Sequence, residues 1–332
     1  MNDTPRALGY RWPAEWEPHA ATWLSWPHNR DTWPGVFDLA IEEYIQFAKT
    51  IASFEPVKIL ASGNAADHAH AAMGSDKNVT IYDVATNDAW VRDHGPVFLS
   101  HHRCDSAPAL IDWGYNAWGE KYSPFDSDNR VPQHVARLST RKRFSPGFVL
   151  EGGAIEGNGS GVALTTGSCV LSESRNVGTT RESFERLLSD YLGIDQLIWL
   201  GGNVPGDDTD GHIDQVARFV NEHTVVCSTS KDLPALRDNI KLLEREGKGL
   251  TAVELPMPTP KFLGKTRLPA SYANFYIVNG AVLVPQFGDA NDSAARSILA
   301  DLFSDREIIG LSAMSLVAGL GAFHCLTQQE ND

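Results

Sequence analysis

Five polar residues, Asp93, Glu151, Asp214, Asn274 and Cys325, stand 58, 63, 60 and 51 positions apart along the 332-residue chain. Each borders a stretch that reads as strands, a hairpin and a helix. The Gly157-Asn-Gly-Ser-Gly161 tract separates strand-like runs at 148–155 and 161–166, and the Asn279-Gly280 turn splits 271–285 into another pair. Runs 217–220 and 224–228 form a third hairpin, and 97–100 with 109–113 a further strand pair. Helical apolar spacing runs through 36–54 (Phe37, Ala40, Ile41, Tyr44, Ile45, Ala48, Ile51), 180–192, 233–246 and 292–303, with strands at 57–61, 79–84, 196–200 and 251–255. A unit of about sixty residues cannot bury both faces of its strands alone, so the recurrence predicts repetition around an axis. Five such units, the last completed by the N-terminal strand at 21–26, predict an α/β fold closed as a five-bladed pseudo-symmetric propeller. The recurring polar residues then converge on its central mouth. No Ser/Gly-rich or Pro-rich tract marks a linker, so one domain is expected across 1–332.

Composition narrows the function. A net charge of −14 disfavours nucleic acid and anionic membranes and suits a cationic ligand. The N-terminus lacks a basic head with an apolar run, and no stretch approaches the roughly 18 apolar residues of a membrane span. These features lead us to expect a cytoplasmic protein. Cys104, Cys169, Cys227 and Cys325 are widely spaced, as for reduced thiols rather than a disulfide framework or a zinc site. His101, His102, Cys104 and Asp105, with His68 and His70 elsewhere, fall in polar stretches, so neither a metal nor another cofactor is expected. Five of the nine tryptophans crowd residues 10–35, as core or as a pocket wall.

The chemistry centres on Gly319-Leu-Gly-Ala-Phe-His-Cys325. Glycines 319 and 321 permit close approach of a ligand, and the expected thiol is reachable and nucleophilic; a buried, inert cysteine is the alternative. Three carboxylates (Asp93, Glu151, Asp214) beside a thiol and His212 make a poor hydrolase triad, which has no use for extra negative charge. They suit a guanidinium, which is planar, rich in N–H donors and permanently charged. Acids that grip it fix its plane for attack by sulfur and concentrate positive charge on its central carbon. Carboxylates also push a thiol toward its protonated form until a cation arrives. His212 can protonate departing ammonia and then deprotonate the water that attacks the thiouronium-like intermediate, giving a urea. Each residue has a structural alternative. Asp93 could cap a turn, Asp214 could pair with Arg218, Glu151 could satisfy the Gly-Gly backbone, and His212 could be a buried core histidine.

The motifs Asn87-Asp-Ala-Trp-Val-Arg-Asp-His-Gly-Pro96, Glu151-Gly-Gly153, Ser174-Arg-Asn176, Asp207-Asp-Thr-Asp-Gly-His-Ile-Asp214, Ser271-Tyr-Ala-Asn-Phe-Tyr276, Pro285-Gln-Phe-Gly288 and His324-Cys-Leu-Thr-Gln-Gln329 span nearly the whole chain. Together with the opening Trp12-Pro-Ala-Glu-Trp-Glu-Pro-His19 they closely resemble the agmatine deiminase family, which includes bacterial-type peptidylarginine deiminases. The resemblance implies the five-bladed pentein propeller of guanidino-group-modifying enzymes and metal-free hydrolysis of agmatine to N-carbamoylputrescine and ammonia, a step toward putrescine. By motif position it implies Cys325 as nucleophile, His212 as general acid/base, Asp93, Glu151 and Asp214 as guanidinium-binding and orienting acids, and Trp90 as a pocket residue. A homodimer is expected on the same ground.

One departure stands out. The family usually runs Gly-Gly-Gly-Asn before an apolar residue and His-Cys, whereas this chain has Gly319, Leu320, Gly321 and Ala322. The change leaves the substrate tail open, with Trp90, Trp113, Tyr115 and Trp118 as candidates to meet a distal ammonium by cation–π contact. The alternatives are deimination of another guanidine, free or peptidyl arginine giving citrulline, and a non-catalytic guanidine-binding protein.

Overall fold

The structure, a computed structural model, describes residues 3–102, 108–202 and 204–331. Among these residues the strands form five separate sheets of three or four strands and one two-stranded ribbon, Lys261–Leu263 with Thr266–Leu268. No sheet is closed on itself. Four of the five follow one plan. A tight turn leads into an antiparallel pair, a helix crosses over, and a third strand adds parallel to the second. Thus Val97–His101 and Ala109–Ile111 are followed by helix Val131–Ser139 and strand Lys142–Phe144. Ile155–Gly157 and Val162–Thr166 precede helix Arg181–Leu192 and Gln196–Leu200. Ala217–Asn221 and Thr224–Thr229 lead through Pro234–Glu246 to Thr251–Pro256. Tyr276–Val278 and Ala281–Gln286 lead through Asp292–Leu302 to Glu307–Ser312.

The fifth sheet joins the two ends of the chain. Gln328–Asn331 pairs antiparallel with His19–Ser25, which is followed by helix Phe37–Ala52 and the parallel strands Val57–Ala61 and Val79–Asp83. Glu330 locks this junction. Its buried carboxylate accepts from Trp23 Nε1 at 2.7 Å, Lys58 Nζ at 2.6 Å and Arg141 Nη2 at 2.7 Å. The expected completion of the last unit by the N-terminal strand is therefore observed, although Gln328–Asn331 itself is too polar to read as a strand from sequence.

Local sequence explains the helices. Phe37–Ala52 buries Ala40, Ile41, Tyr44, Phe47, Ala48 and Ile51, a three-and-four spacing that lays one stripe on the core. Arg181–Leu192 starts on a capping box between Thr180 and Ser183, ends at Gly193 and buries Phe184, Leu188 and Leu192. Helix Gly63–Met73 escaped the sequence reading because only Ala69 and Met73 of it are fully buried, leaving almost no apolar stripe. The strand expected over 148–155 shortens to Ile155–Gly157, because Gly152–Ala154 forms a 3-10 turn and moves Glu151 out of the sheet.

The turns that open the units meet one another in cyclic order. Val91–His94 touches Gly152–Ala154, which touches Ile213–Gln215, which touches Tyr272–Asn274. The cycle continues where His324 N–H donates to the Asn274 carbonyl at 3.1 Å, and closes where Arg92 N–H donates to the Cys325 carbonyl at 3.3 Å. The sixty-residue recurrence is a recurrence of these turns. No helix among the described residues is long and apolar enough to cross a membrane.

Candidate active site

Each of the five recurring polar residues lies in or beside one of these turns, and the ring of contacts brings their side chains to one place. Gly153 marks the convergence. A Cβ built there would lie 2.6 Å from His212 Nδ1, 2.8 Å from Asp93 Oδ1 and 3.1 Å from Asp214 Oδ2, so only glycine leaves room for the three. Gly321 plays the same part on the thiol side, where a Cβ would meet the Trp90 ring at 2.5 Å and Cys325 Cβ at 3.0 Å.

Cys325 Sγ lies 3.1 Å from Asn274 Nδ2, 3.5 Å from Asp214 Oδ2 and 3.9 Å from Gln215 Nε2. The thiol is 6% exposed, which corrects the expectation of a reachable sulfur. Burial pushes its pKa well above the ordinary thiol value, the carboxylates of Asp214 and Asp93 push further, and the Asn274 amide opposes them.

Asp93 Oδ1 accepts from Gly153 N–H at 3.0 Å and lies 3.6 Å from His212 Nδ1, while Oδ2 accepts from Trp118 Nε1 at 2.9 Å. Asp93 thus braces the Gly152–Ala154 turn, not its own, while facing His212. Burial raises its pKa, Asp214 and Glu151 add repulsion, and His212 and Trp118 pull the other way. Burial works against the imidazolium of His212, but Asp93 and Asp214, with the Cys169 thiol, outweigh it and hold its pKa well above that of an ordinary histidine. Neither ring nitrogen of His212 has a hydrogen-bond partner among the described residues, nor has Asp214 Oδ1 or Gln215 Oε1. The unpartnered acceptors, Asp214 Oδ1 and Gln215 Oε1, are costly in an apolar core and are matched by a ligand rich in N–H groups.

Asp214 does not pair with Arg218. Its Oδ2 faces His324 Nδ1 at 2.8 Å, His324 Nε2 faces Glu15 Oε2 at 3.0 Å, and Arg218 bonds Glu15 at 2.8 Å and Glu156 at 2.9 Å. The Asp214 carboxylate is favoured here: burial would raise its pKa, but the hydrogen bond from His324, with His212 and Arg218, outweighs burial and holds it below the ordinary value. Glu15 is held below the carboxylate range in the same way, against its own burial, by Arg218, His324 and Arg92. Glu151 does not serve the Gly-Gly backbone either. Its Oε1 accepts from Arg175 Nε at 2.9 Å, and Arg175 also bonds Asp210 and the Thr209 carbonyl.

Trp118 is held over Asp93 by an unusual backbone. Ala117, Trp118, Gly119 and Glu120 all have positive φ, and Asn116 caps the turn by accepting from Gly119 N–H at 3.0 Å. Each non-glycine residue there costs roughly 1 kcal/mol. Trp90 packs at 5.4 Å from Trp33 and against the 319–321 loop, and Tyr115 meets the Trp118 ring edge-on at 5.5 Å. Trp113 does not join them; its ring packs with Tyr191, Leu150 and Phe144 in another part of the core. The crowded tryptophans of 10–35 are mostly core: Trp23, Trp26 and Trp33 are fully buried, and Trp33 also backs Trp90.

Among the described residues the one grouping with metal-ligand chemistry is Glu151, Cys169 and His212, whose ligand atoms lie within 4.8 Å of one another, with Glu151 already engaged by Arg175. His68 instead accepts from Trp26 Nε1, and His101 and His102 bond the carbonyls of Leu8 and Gly9. Cys104 and Asp105 lie outside the described residues. Sequence reading assigned no role to Asn274, His324 or Glu15. The sixty-residue spacing flagged the first; the other two are recruited only by folding.

The model of the Porphyromonas-type peptidyl-arginine deiminase family matches residues 11–330. The chain is 35% identical to an agmatine deiminase of Pseudomonas aeruginosa, over 98% of this chain and 97% of that one. Among solved structures, the agmatine deiminase of Enterococcus faecalis superposes with a TM-score of 0.93 at 32% identity, covering 100% of this chain and 98% of that one. A cysteine-to-serine agmatine deiminase of C. jejuni with substrate bound gives 0.89 at 30% identity, covering 97% and 96%.

Proposed function

The chain belongs to the Porphyromonas-type peptidyl-arginine deiminase family, close to its agmatine deiminases, and from that premise we propose that it is an agmatine deiminase. It hydrolyses the guanidinium of agmatine to N-carbamoylputrescine and ammonia, a C–N hydrolysis of a linear amidine that feeds putrescine formation. The observation that carries the reading is the convergence on Gly153 of His212, Asp93 and Asp214, with the Cys325 sulfur 3.5 Å from Asp214.

In this reading the guanidinium lies between Asp93 and Asp214, its N–H groups meeting the unpartnered Asp214 Oδ1. The arriving cation cancels the field that keeps Cys325 protonated, so the thiol gives its proton to solvent and the thiolate is released in the presence of substrate. Sulfur attacks the central carbon, and the tetrahedral adduct collapses as the His212 imidazolium gives its proton to the departing ammonia. Neutral His212 then takes a proton from water as it adds to the thiouronium carbon. Collapse breaks the C–S bond with its electron pair going to sulfur, and the hydroxyl proton passes to that sulfur, restoring the thiol and leaving the carbonyl of the urea. Glu151, held by Arg175, flanks His212, while Asp93 and Asp214 keep the imidazolium favourable. Trp90 and Trp118 wall the site, so the substrate tail runs past aromatic faces.

The five turn–strand–helix units are read as the blades of a closed pentein propeller forming one catalytic domain, supported by the cyclic order of turn contacts and by the shared first and last sheet. A cytoplasmic homodimer is the matching cellular form. Ammonia release from agmatine, arginine and a short arginine peptide, with a Cys325→Ala control, tests the function. Turnover of agmatine, abolished in the control, is expected. Preference for arginine or the peptide would replace the substrate and point to Leu320 and Ala322; no release from any of the three would overturn the enzyme reading.

A further inference from the structure

We propose that His324 is a positioning residue for the substrate-binding carboxylate: donating from both ring nitrogens, to Glu15 on one side and to Asp214 on the other, it occupies Asp214 Oδ2 and turns Oδ1 to the guanidinium. The proposal rests on the reading of the site as one that binds a guanidinium, and is independent of the tail that group carries.

The residue is tied down through its backbone. His324 is buried, its N–H donates to the Asn274 carbonyl at 3.1 Å, and its own carbonyl accepts from Arg92 Nε at 3.3 Å and from Thr327 N–H at 3.1 Å. From that fixed backbone the ring sets Nδ1 2.8 Å from Asp214 Oδ2 and Nε2 3.0 Å from Glu15 Oε2. Burial raises both carboxyls, but the His324 hydrogen bond outweighs it at Asp214, and Arg218 with His324 outweighs it at Glu15, leaving both below the ordinary value. An ionised carboxylate only accepts, so a ring nitrogen that faces one needs a hydrogen of its own. With a carboxylate at each end the ring carries two hydrogens and a positive charge. A neutral ring would set a bare nitrogen lone pair against a buried oxygen anion.

Glu15 is the anchor of this arrangement. It lies ahead of strand His19–Ser25, its Oε1 accepts from Ile277 N–H at 2.8 Å, and its Oε2 accepts from Arg218 Nη2 at 2.8 Å. Its place is therefore set without His324, and the ring carries that constraint across to Asp214. There the two oxygens are given different tasks. Oδ2 faces the ring and, at 3.5 Å, the Cys325 sulfur, whereas Oδ1 is buried with no partner among the described residues. Without the ring, Asp214 could turn about its last bond and offer either oxygen; with it, the free oxygen is fixed. The other charged or titratable groups near the ring are Arg92 and Arg218, Glu156 behind Arg218, and His212 and Cys325 beyond Asp214. Among the described residues, His324 is the one nitrogen donor to Asp214.

Two measurements test this. Nitrogen NMR of protein labelled at its histidine rings needs no substrate, so it separates failure of this proposal from failure of the agmatine assignment. The His324 signals, assigned by their loss in His324→Gln, should show a hydrogen on both ring nitrogens near neutral pH; a bare nitrogen overturns the proposal whatever the chain hydrolyses. The second measurement is the pH dependence of kcat/KM for the guanidine that the parent turns over. A glutamine at 324 can donate to one carboxylate only and turns its oxygen to the other. In His324→Gln the plateau of kcat/KM should fall roughly ten- to a hundredfold, the range of a hydrogen bond to a charged group, and the acid limb should move up by about one pH unit as Asp214 loses its donor. Thr327→Val is the control, because it removes the hydroxyl bonds to the Phe323 and His324 carbonyls and leaves the partners of the ring in place. A limb that does not move in His324→Gln, or that moves equally in Thr327→Val, makes His324 structural only and refutes the role. Glu15→Gln removes the anchoring charge with the ring still present, and serves if His324→Gln does not fold. It should displace the His324 ring signals and raise the acid limb, and unchanged signals and limb would equally refute the role.

Discussion

Leu320 adopts φ 72°, a left-handed conformation that costs an L-residue roughly 1 kcal/mol and costs glycine little. The loop therefore keeps the backbone that a glycine-rich sequence would take, and the side chain is accommodated by packing against the main core. Asp128 is a second residue under tension. Burial pushes its carboxyl up to about 7, although N–H groups of Asn87 and Asp88 pull it down, and neighbouring His94 is driven by burial to about 4. Because the folded value lies above the unfolded one, the folded state holds the extra proton. That contribution to stability is complete below about pH 4 and is lost as pH rises through about 7. Asn in place of Asp128 removes the titration and preserves the acceptor for Asn87 N–H. The Tm of Asp128→Asn relative to the parent should climb between pH 5 and pH 8, corresponding to a gain on the order of 1–3 kcal/mol; a difference that does not vary with pH would show that Asp128 is not the group that titrates.

The turn Gly152–Ala154 shows how an element, rather than a residue, makes the site. It takes Glu151 out of the strand, presents Gly153 N–H to Asp93 and leaves an opening that His212, Asp93 and Asp214 fill. Gly153→Ala places a methyl within 2.6 Å of His212 Nδ1, so the imidazole and Asp93 must separate. We expect kcat/KM to fall by about a hundredfold or more, since displacements near 1 Å at reacting groups are that costly, while Tm changes little. Equal losses of stability and activity would mean that the turn fails before the site does. Glycine at this position was visible in the sequence, and so was the acid ahead of it. Their reason was not, because the atoms that forbid a Cβ come from positions 93, 212 and 214.

At the scale of the molecule, the C-terminal strand completes the sheet begun at the N-terminus, and Glu330 is its fastening to Lys58 and Arg141. Burial opposes ionisation of Glu330, but these two cations hold its pKa below the usual value, so the stability it supplies is present above about pH 4.5 and is lost as pH falls through the lowered folded value. Glu330→Gln should cost about 2–4 kcal/mol near neutrality, read as a lower midpoint in denaturant, and the gap should close in acid. A gap that persists in acid would assign the effect to packing. The sequence by itself determined much of this protein. Apolar periodicity placed most helices and strands, glycine-bearing turns placed the hairpins, and the spacing of Asp93, Glu151, Asp214, Asn274 and Cys325 implied units that needed one another, because all of these are local or periodic properties. Only the tertiary structure decided that Cys325 is buried, that Arg218 serves Glu15 and Glu156 instead of Asp214, that Trp113 leaves the site, and that His324 and Glu15 enter it. Those outcomes depend on which side chains from distant units share one low-dielectric space, where every charge needs a partner and a few ångströms decide which partner it has.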